Sequence, residues 1–395
     1  MDAVRAIHTT MNRKDSSSWV LDADISGCFD NIDHEPLLAK LPVFTTTLRN
    51  WLKAGVVGVG FFSPTDSGTP QGGVISPLLA NVALDGMERL FDAEYADGRP
   101  KAPALHKGPN RGIAVIRYAD DFVITAPTRE VLETYARPRI EGFLKKRGLE
   151  LSEAKTRIVH ITEGFNFLGF HIRKFGKRGK LLTIPQKEKV LKHVRAIRSY
   201  LDAHKQTPTV EVIKKLNPVI RGWANYYRHC AASETFKKVR HAQWLMLWNW
   251  AKRRHPNKSS TWVKARYFKS DGYWTLHEPG RAELVKPDKT PITRFTKVTG
   301  KNSPYDPALK EYWTERKKQQ VGRETYAKQR LMLLQRQEYR CALCRVQFIP
   351  GEAIEMDHII LKSQGGTEDL GNKRLVHPWC HRQRHQKDGR QRSRA

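Results

Sequence analysis

"IRYADDFVIT", residues 116–125, is the stretch on which the reading of this chain turns. Two carboxylates, Asp120 and Asp121, stand side by side in an apolar, strand-like setting. The flanks Ile113, Val115 and Ile116, then Phe122, Val123 and Ile124, are β-branched or aromatic, so they predict two strands of a hairpin with the acids at its tip. Like charges there repel each other, and they are tolerated when solvated or when a cation sits between them. An exposed acidic turn is the plain alternative, and the surrounding sequence has to separate the two.

A chain of 395 residues is long enough for two or three domains. Its formal net charge of +30 points to a polyanionic partner, nucleic acid before a membrane surface, because phosphate contacts are largely electrostatic. No run of apolar residues is long enough to span a bilayer, the longest being the Gly-rich "GVVGVGFF" at 55–62, and "MDAVRAIHTT" lacks a signal-peptide core. No membrane association is expected, and the implied location is cytoplasmic or organellar. Five cysteines, with Cys28 and Cys230 isolated, argue against a disulfide framework.

Residues 1–175 alternate apolar runs, turn signals and helical stretches, which predicts an α/β (α+β) fold. Between 186 and 255 apolar residues recur at three- and four-residue steps with basic residues between them, predicting three amphipathic helices, the third over Ser233–Lys252. From 258 to 307 the pattern weakens into a basic connector with short strands around "ARYFKSDGYWTLHE". One helix is expected from Ala308 to about Tyr339. The expected domains are 1–180, 181–257, the connector 258–307, and 308–395.

Upstream, "VLDADISGCFDNIDHEPLL" (20–38) carries Asp24 at the end of an apolar segment. Between it and the Asp pair lies "GTPQGGVISPLLANVALDGMERL" (68–90), a Gly- and Pro-rich turn running into a helix. Phosphoryl transfer with two metal ions needs carboxylates from separate segments within reach of cations about 4 Å apart. A strand-end Asp and a hairpin Asp pair supply that set. The glycines let backbone and Gln71 approach a nucleotide without Cβ obstruction.

The order Asp24, Gly-Thr-Pro-Gln-Gly, Tyr-Ala-Asp-Asp, "LSEAKT" (151–156) and "FNFLGF" (165–170) resembles the palm of reverse transcriptases, in particular those encoded by group II introns. The resemblance implies a right-hand polymerase palm with an antiparallel sheet. Asp24, Asp120 and Asp121 would hold catalytic Mg²⁺, Phe29 would exclude a ribose 2′-hydroxyl, Gln71 would line the dNTP site, and Lys155 would lie near the triphosphate. Phe29 as plain core and Lys155 as a solvated charge are the competing readings. Of the family's segments that precede the first catalytic Asp and build the fingers, "DAVRAIHTTMNRKDSSSW" (2–19) matches only the helix-and-strand approach, and most of the fingers are expected to be missing. The expectation is a truncated product, or fingers supplied by an N-terminal fragment or second protomer.

"NPVIRGWANYYRHC" (217–230) and "AQWLMLWNWAKRRHP" (242–256) resemble the maturase region of the same proteins, a helical thumb that binds intron RNA. Arg221, Arg228, Lys252, Arg253 and Arg254 are the exposed basic candidates for RNA contact. Trp223, Tyr226, Trp244, Trp248 and Trp250 are expected to pack in the core rather than stack on bases.

"CALC" (341–344) pairs with "HPWC" (377–380). Two such pairs suit a tetrahedral structural Zn²⁺ held by Cys341, Cys344, His377 and Cys380. The residues between contain "EMDHIILKSQGGTEDLGNKRLV", which resembles the HNH nuclease motif, a ββα unit around one divalent metal. His358 would be the general base. Asp357 and a later histidine, His381 or His385, would bind the metal, and Asn372 would either brace His358 or be a ligand. A zinc finger that only binds DNA is the competing reading.

The resemblance implies three functions: RNA-directed DNA synthesis from dNTPs, a maturase aiding splicing of group II intron RNA, and an HNH endonuclease nicking target DNA. Two alternatives stand beside it. One is a splicing maturase without stand-alone polymerase activity, and the other is a nuclease whose palm is scaffold.

Overall fold

The computed structural model describes all residues except 13–16, 59–60, 64, 70–72, 92–111, 177–178, 271, 301, 325–327 and 393–395. The chain divides into two compact units, Met1–Ala203 with Cys230–Thr235, and His204–His229 with Phe236–Ala395.

The first unit is built on a four-stranded antiparallel sheet in the order Ala114–Tyr118, Asp121–Ala126, Trp19–Ala23, Arg157–His160. The expected hairpin is its edge pair. Tyr118 pairs with Asp121, leaving Ala119 and Asp120 as a two-residue turn, with Ala119 in the left-handed region at φ 56°. For a residue with a Cβ that conformation costs about 1 kcal/mol or more. Both faces of the central strands are buried, so their apolar residues run nearly continuously rather than alternating. Leu21, Ala23, Phe122, Ile124 and Ala126 join Leu79, Ala83 and Leu84 of the Ser76–Leu84 helix and Ile140, Phe143 and Leu144 of the Arg137–Lys145 helix in one core.

The sequence motifs become specific contacts. Gly68 sits at φ 82° against the turn that follows Asp24, where a Cβ would lie 2.4 Å from the Asp30 carbonyl oxygen. Thr69 N–H donates to the Phe29 carbonyl (2.6 Å), and the His34 ring meets the Gly68 carbonyl at 2.7 Å. "FNFLGF" forms a tight hairpin, Phe167 opposite Phe170, with Leu168 and Gly169 both at positive φ, the type I′ pattern. It opens a three-stranded sheet completed by Phe170–Phe175 and Lys180–Pro185.

Helices form over Lys187–Ala203, Thr209–Tyr227 and Ser233–Arg253, the three expected between 186 and 255. In the second unit, short strands Phe268–Ser270, Trp274–Glu278 and Ala282–Glu283 interrupt the basic connector. The single helix expected from Ala308 to Tyr339 is instead described as Lys310–Glu324 and Lys328–Arg336. The latter ends short of Tyr339 because Glu338 and Tyr339 turn into the left-handed region. Strands Glu355–His358 and Lys373–Val376 then form an antiparallel pair followed by a helix, Pro378–Arg392. Gln337 ties that pair to the preceding helix: its amide donates to the Arg340 and Leu375 carbonyls (both 2.9 Å) and accepts from Leu375 N–H (2.8 Å). Among the described residues no helix is long and apolar enough to cross a membrane.

Candidate catalytic and metal centres

Asp24 follows the last residue of the Trp19–Ala23 strand. The register that pairs Ala23 with Phe122 continues one step to set Asp24 opposite Asp121. The segment "LSEAKT" is pinned beside it: Ser152 N–H donates to the Asp24 carbonyl (2.8 Å), Ser26 N–H to the Glu150 carbonyl (2.9 Å), and Ile25 bridges Leu151. That turn delivers Lys155, whose ammonium donates to Asp24 Oδ2 at 2.6 Å. The contact raises the lysine's pKa.

Asp121 is pushed above the ordinary carboxylate range, first by partial loss of hydration and then by the negative charges of Asp120, Asp24 and Asp22, with Lys155 offsetting part. Asp22 is likewise raised by desolvation, although Arg157 bonds it through Nε and Nη2, both at 3.0 Å. Burial and the charge of Asp120 push the Cys28 thiol up to about 12. The four acids share one field, yet Asp24, Asp120 and Asp121 do not converge as a ligand set within 4.8 Å among the described residues. Phe29 is half-buried against the core, and Gln71 lies outside the described residues.

In the second unit Cys341, Cys344, His377 and Cys380 bring their ligand atoms within 4.8 Å of one another. The His377 Nδ1 lies 3.3 Å from Cys344 Sγ and 4.0 Å from Cys380 Sγ. Its Nε2 lies 3.2 Å from Glu352 Oε1, so the carboxylate holds the proton on Nε2 and leaves the Nδ1 lone pair facing the sulphurs. Burial alone would raise the Cys341 thiol, but hydrogen bonds from the backbones of Cys344, His377 and Leu343 bring it down to about 7. Cys380 is pushed up to about 12 by burial and by the neighbouring sulphurs. Three thiols and one imidazole crowded this closely, one thiol already stabilised as thiolate, fit a tetrahedral soft cation such as Zn²⁺.

A second group, Asp357, His381 and His385, also gathers within 4.8 Å. Asp357 is 1% exposed, and Arg374 Nε (2.9 Å) and Arg384 Nη1 (2.6 Å) both bond its Oδ2. Burial would raise this carboxyl, and the two guanidinium hydrogen bonds outweigh it and leave the pKa low. The buried Oδ1 has no hydrogen-bond partner and faces His381 Nε2 at 3.4 Å. Glu355 Oε2 takes His381 Nδ1 at 2.7 Å, which turns Nε2 inward to within 2.9 Å of His385 Nε2. An ionised buried oxygen and two inward imidazole nitrogens form a donor set that fits a divalent cation.

His358 is absent from that group. Its Nε2 lies 3.6 Å from Glu368 Oε2. Asn372 spends its amide on the loop after His358: it accepts from Ile360 N–H (2.8 Å) and donates to the carbonyls of Ile360 (3.0 Å) and Thr367 (2.9 Å). Asn372 thus braces the chain beyond His358.

A family model for the reverse transcriptase (RNA-dependent DNA polymerase) matches residues 1–172, one for the group II intron maturase-specific domain 190–268, and one for the HNH endonuclease 341–387. The group II intron-encoded protein LtrA of Lactococcus lactis subsp. cremoris is 26% identical over 321 residues, 61% of this chain and 53% of that one. The chain is similar to group II intron-encoded reverse transcriptases and maturases. It carries an HNH domain as well. Protein YkfC of Escherichia coli K12 is 34% identical over 200 residues, 43% of this chain and 52% of that one. The chain thus spans about half the length of the curated relatives it matches. Among solved structures, apo telomerase from Candida tropicalis is similar at TM-score 0.33 and 14% identity, covering 43% of this chain and 38% of that one.

Within the maturase match, Arg221, Lys252 and Arg253 are exposed as expected. Arg228 is not: it is only 6% exposed, because it falls on the inner face of the Thr209–Tyr227 helix end beside buried Tyr227. Arg254 is partly committed, donating to the carbonyls of Lys205 (3.2 Å) and Thr207 (2.6 Å) and lying over the Trp250 ring. Trp250 is buried and Trp223, Trp244 and Trp248 half-buried, in keeping with packing, while Tyr226 is exposed. Glu352, Glu355 and Glu368 were not singled out by the sequence reading, since a lone Glu carries no spacing signal. An acid two residues before the Asp-His pair was the one available hint for Glu355.

Proposed function

We propose that this intron-encoded protein copies RNA into DNA, aids folding and splicing of its intron RNA, and nicks a DNA target. The reading assigns residues 1–180 to a right-hand palm, 181–257 to a thumb and maturase surface for group II intron RNA, 258–307 to a connector, and 308–395 to a zinc-braced HNH nuclease of the ββα-metal type.

The observation that carries the polymerase reading is the register that brings Asp24 and Asp121 to one end of the four-stranded sheet, where partial burial and then the charges of Asp120, Asp24 and Asp22 raise Asp121. Asp24, Asp120 and Asp121 would hold Mg²⁺, which when bound neutralises that field and makes a primer 3′-hydroxyl more acidic. Phe29, half-buried on the turn that Gly68 and Thr69 clasp, would face the sugar of an incoming dNTP, and Gln71 would serve the same nucleotide. Lys155, exposed and bonded through its ammonium to Asp24, would move to the triphosphate once cations occupy the carboxylates. Arg221, Lys252, Arg253 and Arg254 would track RNA phosphates. In the nuclease, His358 would take a proton from water, while Asp357, His381 and His385 would hold a divalent cation that polarises the scissile phosphate.

Primer extension on an RNA template with dNTPs and Mg²⁺, comparing the native chain with Asp121→Ala, tests the reading. Extension by the native chain alone supports it. Specific intron-RNA binding without extension leaves a splicing maturase. Nicking of duplex DNA that is lost in His358→Ala but kept in Asp120→Ala assigns cleavage to the HNH domain.

A further inference from the structure

Across the Lys373–Val376 strand and the loop before it, three cationic or proton-bearing groups converge on one carboxylate. Lys373 Nζ lies 2.7 Å from Glu368 Oε2, His358 Nε2 lies 3.6 Å from the same oxygen, and Lys362 pairs with Oε1. The two lysine hydrogen bonds hold the Glu368 carboxyl down at about 2. The arrangement is lopsided in exposure. Lys373 is 13% exposed and His358 23%, whereas Glu368 is 60% exposed and reaches in from outside. Glu368 sits on the loop that Asn372 braces and that Gly366 allows to fold back, since a Cβ at Gly366 would lie 1.9 Å from the Ile360 carbonyl oxygen. Lys373 and the imidazole are thus held in place by the fold, whereas Lys362, 63% exposed, reaches in from outside as Glu368 does, and the anion between them is open to exchange.

We propose that Lys362, Lys373 and His358 form the seat of a nucleic-acid phosphate, which Glu368 fills with its own carboxylate until a phosphodiester displaces it. The inference rests on the nuclease reading for its function and on the geometry alone for the seat. A carboxylate and a phosphodiester each present two adjacent oxygens with a single negative charge, so the same donors suit either. Two ammonium groups on one phosphate would screen its charge, and the third member of the seat is the imidazole assigned to proton removal. A phosphate placed there lies beside the group that must act on its attacking water. Glu368 then competes with substrate as a tethered anion, and removing its charge opens the seat. Lys362 and Lys373 become substrate-positioning residues.

The test uses the full-length, zinc-loaded chain with inorganic phosphate as probe. The ¹⁵N resonances of the His358 imidazole, assigned by their loss in His358→Asn, are followed at constant ionic strength. Saturable shifts are expected, with half-saturation roughly 5-fold lower in Glu368→Gln and roughly 5-fold higher in Lys373→Gln, the scale of exposed ion-pair contacts. Equal half-saturation in the native chain and Glu368→Gln, or no saturable shift in either, overturns the proposal. Zinc content reports folding of each variant. Single-turnover nicking then separates the roles: Glu368→Gln should lower the DNA concentration for half-maximal rate and leave the maximal rate within about twofold. A fall in maximal rate alone would make Glu368 a positioning residue for His358 and also overturn the proposal. Phosphate titration as expected without nicking by any variant would leave the seat standing and remove the nuclease reading.

Discussion

Replacing Glu352 with Ala should weaken zinc binding at the Cys341, Cys344, His377 and Cys380 cluster by about 10- to 100-fold, or about 1.4–2.7 kcal/mol. Glu352 Oε1 lies 3.2 Å from His377 Nε2 and accepts from Ile349 N–H at 3.0 Å, so one oxygen faces the ring and holds the turn beneath it. His377 is 16% exposed, which leaves little water to replace the lost acceptor. Without it the ring can carry its proton on Nδ1, the tautomer that cannot donate a lone pair toward Cys344 and Cys380. Gln at this position keeps an oxygen that can accept from both donors, so Glu352→Gln should fall within about threefold of the native affinity. Competition against a chromophoric zinc chelator on the full chain measures all three proteins, with His377→Ala as the larger loss. An Ala variant that binds zinc as the native chain does would refute the argument. A Gln variant as weak as Ala would show that charge, not tautomer control, is what Glu352 supplies.

Three further outcomes follow from the same structure. His193, 8% exposed, is held by burial at about 4 instead of its usual 6.5, so the unfolded chain takes up its proton first as pH falls. Its stabilising contribution is complete above 6.5, decreases by about 2 kcal/mol by pH 5 and is fully lost near pH 4. His193→Gln should flatten the pH dependence of denaturant unfolding of the first unit over that window, and an unchanged slope would assign it to other groups. Asp121 is raised, so its ionised form opposes folding increasingly as pH climbs through the raised value. Asp121→Asn should therefore raise the metal-free melting temperature at pH 7 by about 1–2 °C, a figure discounted for its exposure, and the gain should shrink in Mg²⁺. Gly366→Ala must displace the Ile360 carbonyl and with it the Asn372 clamp, so hydrogen exchange at Ile360 should speed up at least about tenfold.

The hairpin at 116–125 and the three helices of 186–255 were legible because each is written in local chemistry. These are β-branched flanks and three- and four-residue apolar steps. Pairs of cysteine and histidine at short spacing likewise announced the Cys341–Cys380 cluster. What the sequence hid depends on partners far along the chain. Arg228 lies on an amphipathic helix whose end turns inward, and composition cannot tell that residue from exposed Arg221. The bonds of Asn372 reach Ile360, 12 residues away, and Thr367, 5 away, partners that no local spacing announces. The break of the expected helix after Arg336 comes from left-handed Glu338 and Tyr339, neither a residue type that signals a stop.

In this free chain each candidate centre is balanced by its own side chains, and exposure separates the exchangeable partners from the permanent ones. Lys155, 70% exposed, gains little from its pairing with Asp24 in high dielectric, so a divalent cation can replace it at small cost. Glu368 stands in the same position toward Lys362 and Lys373. Asp357 is the opposite case: at 1% exposure its Oδ2 is bonded by two guanidinium groups, and losing either of these charge-assisted bonds costs about 1.5–3 kcal/mol. Arg374 and Arg384 are therefore fixed parts of that site, and only Oδ1 is left to meet a cation. Metal entry should displace Lys155 from the palm while leaving both arginines on Asp357, so Lys155→Ala should tighten Mg²⁺ binding at the palm and Arg384→Ala should unfold the HNH domain before it alters metal choice.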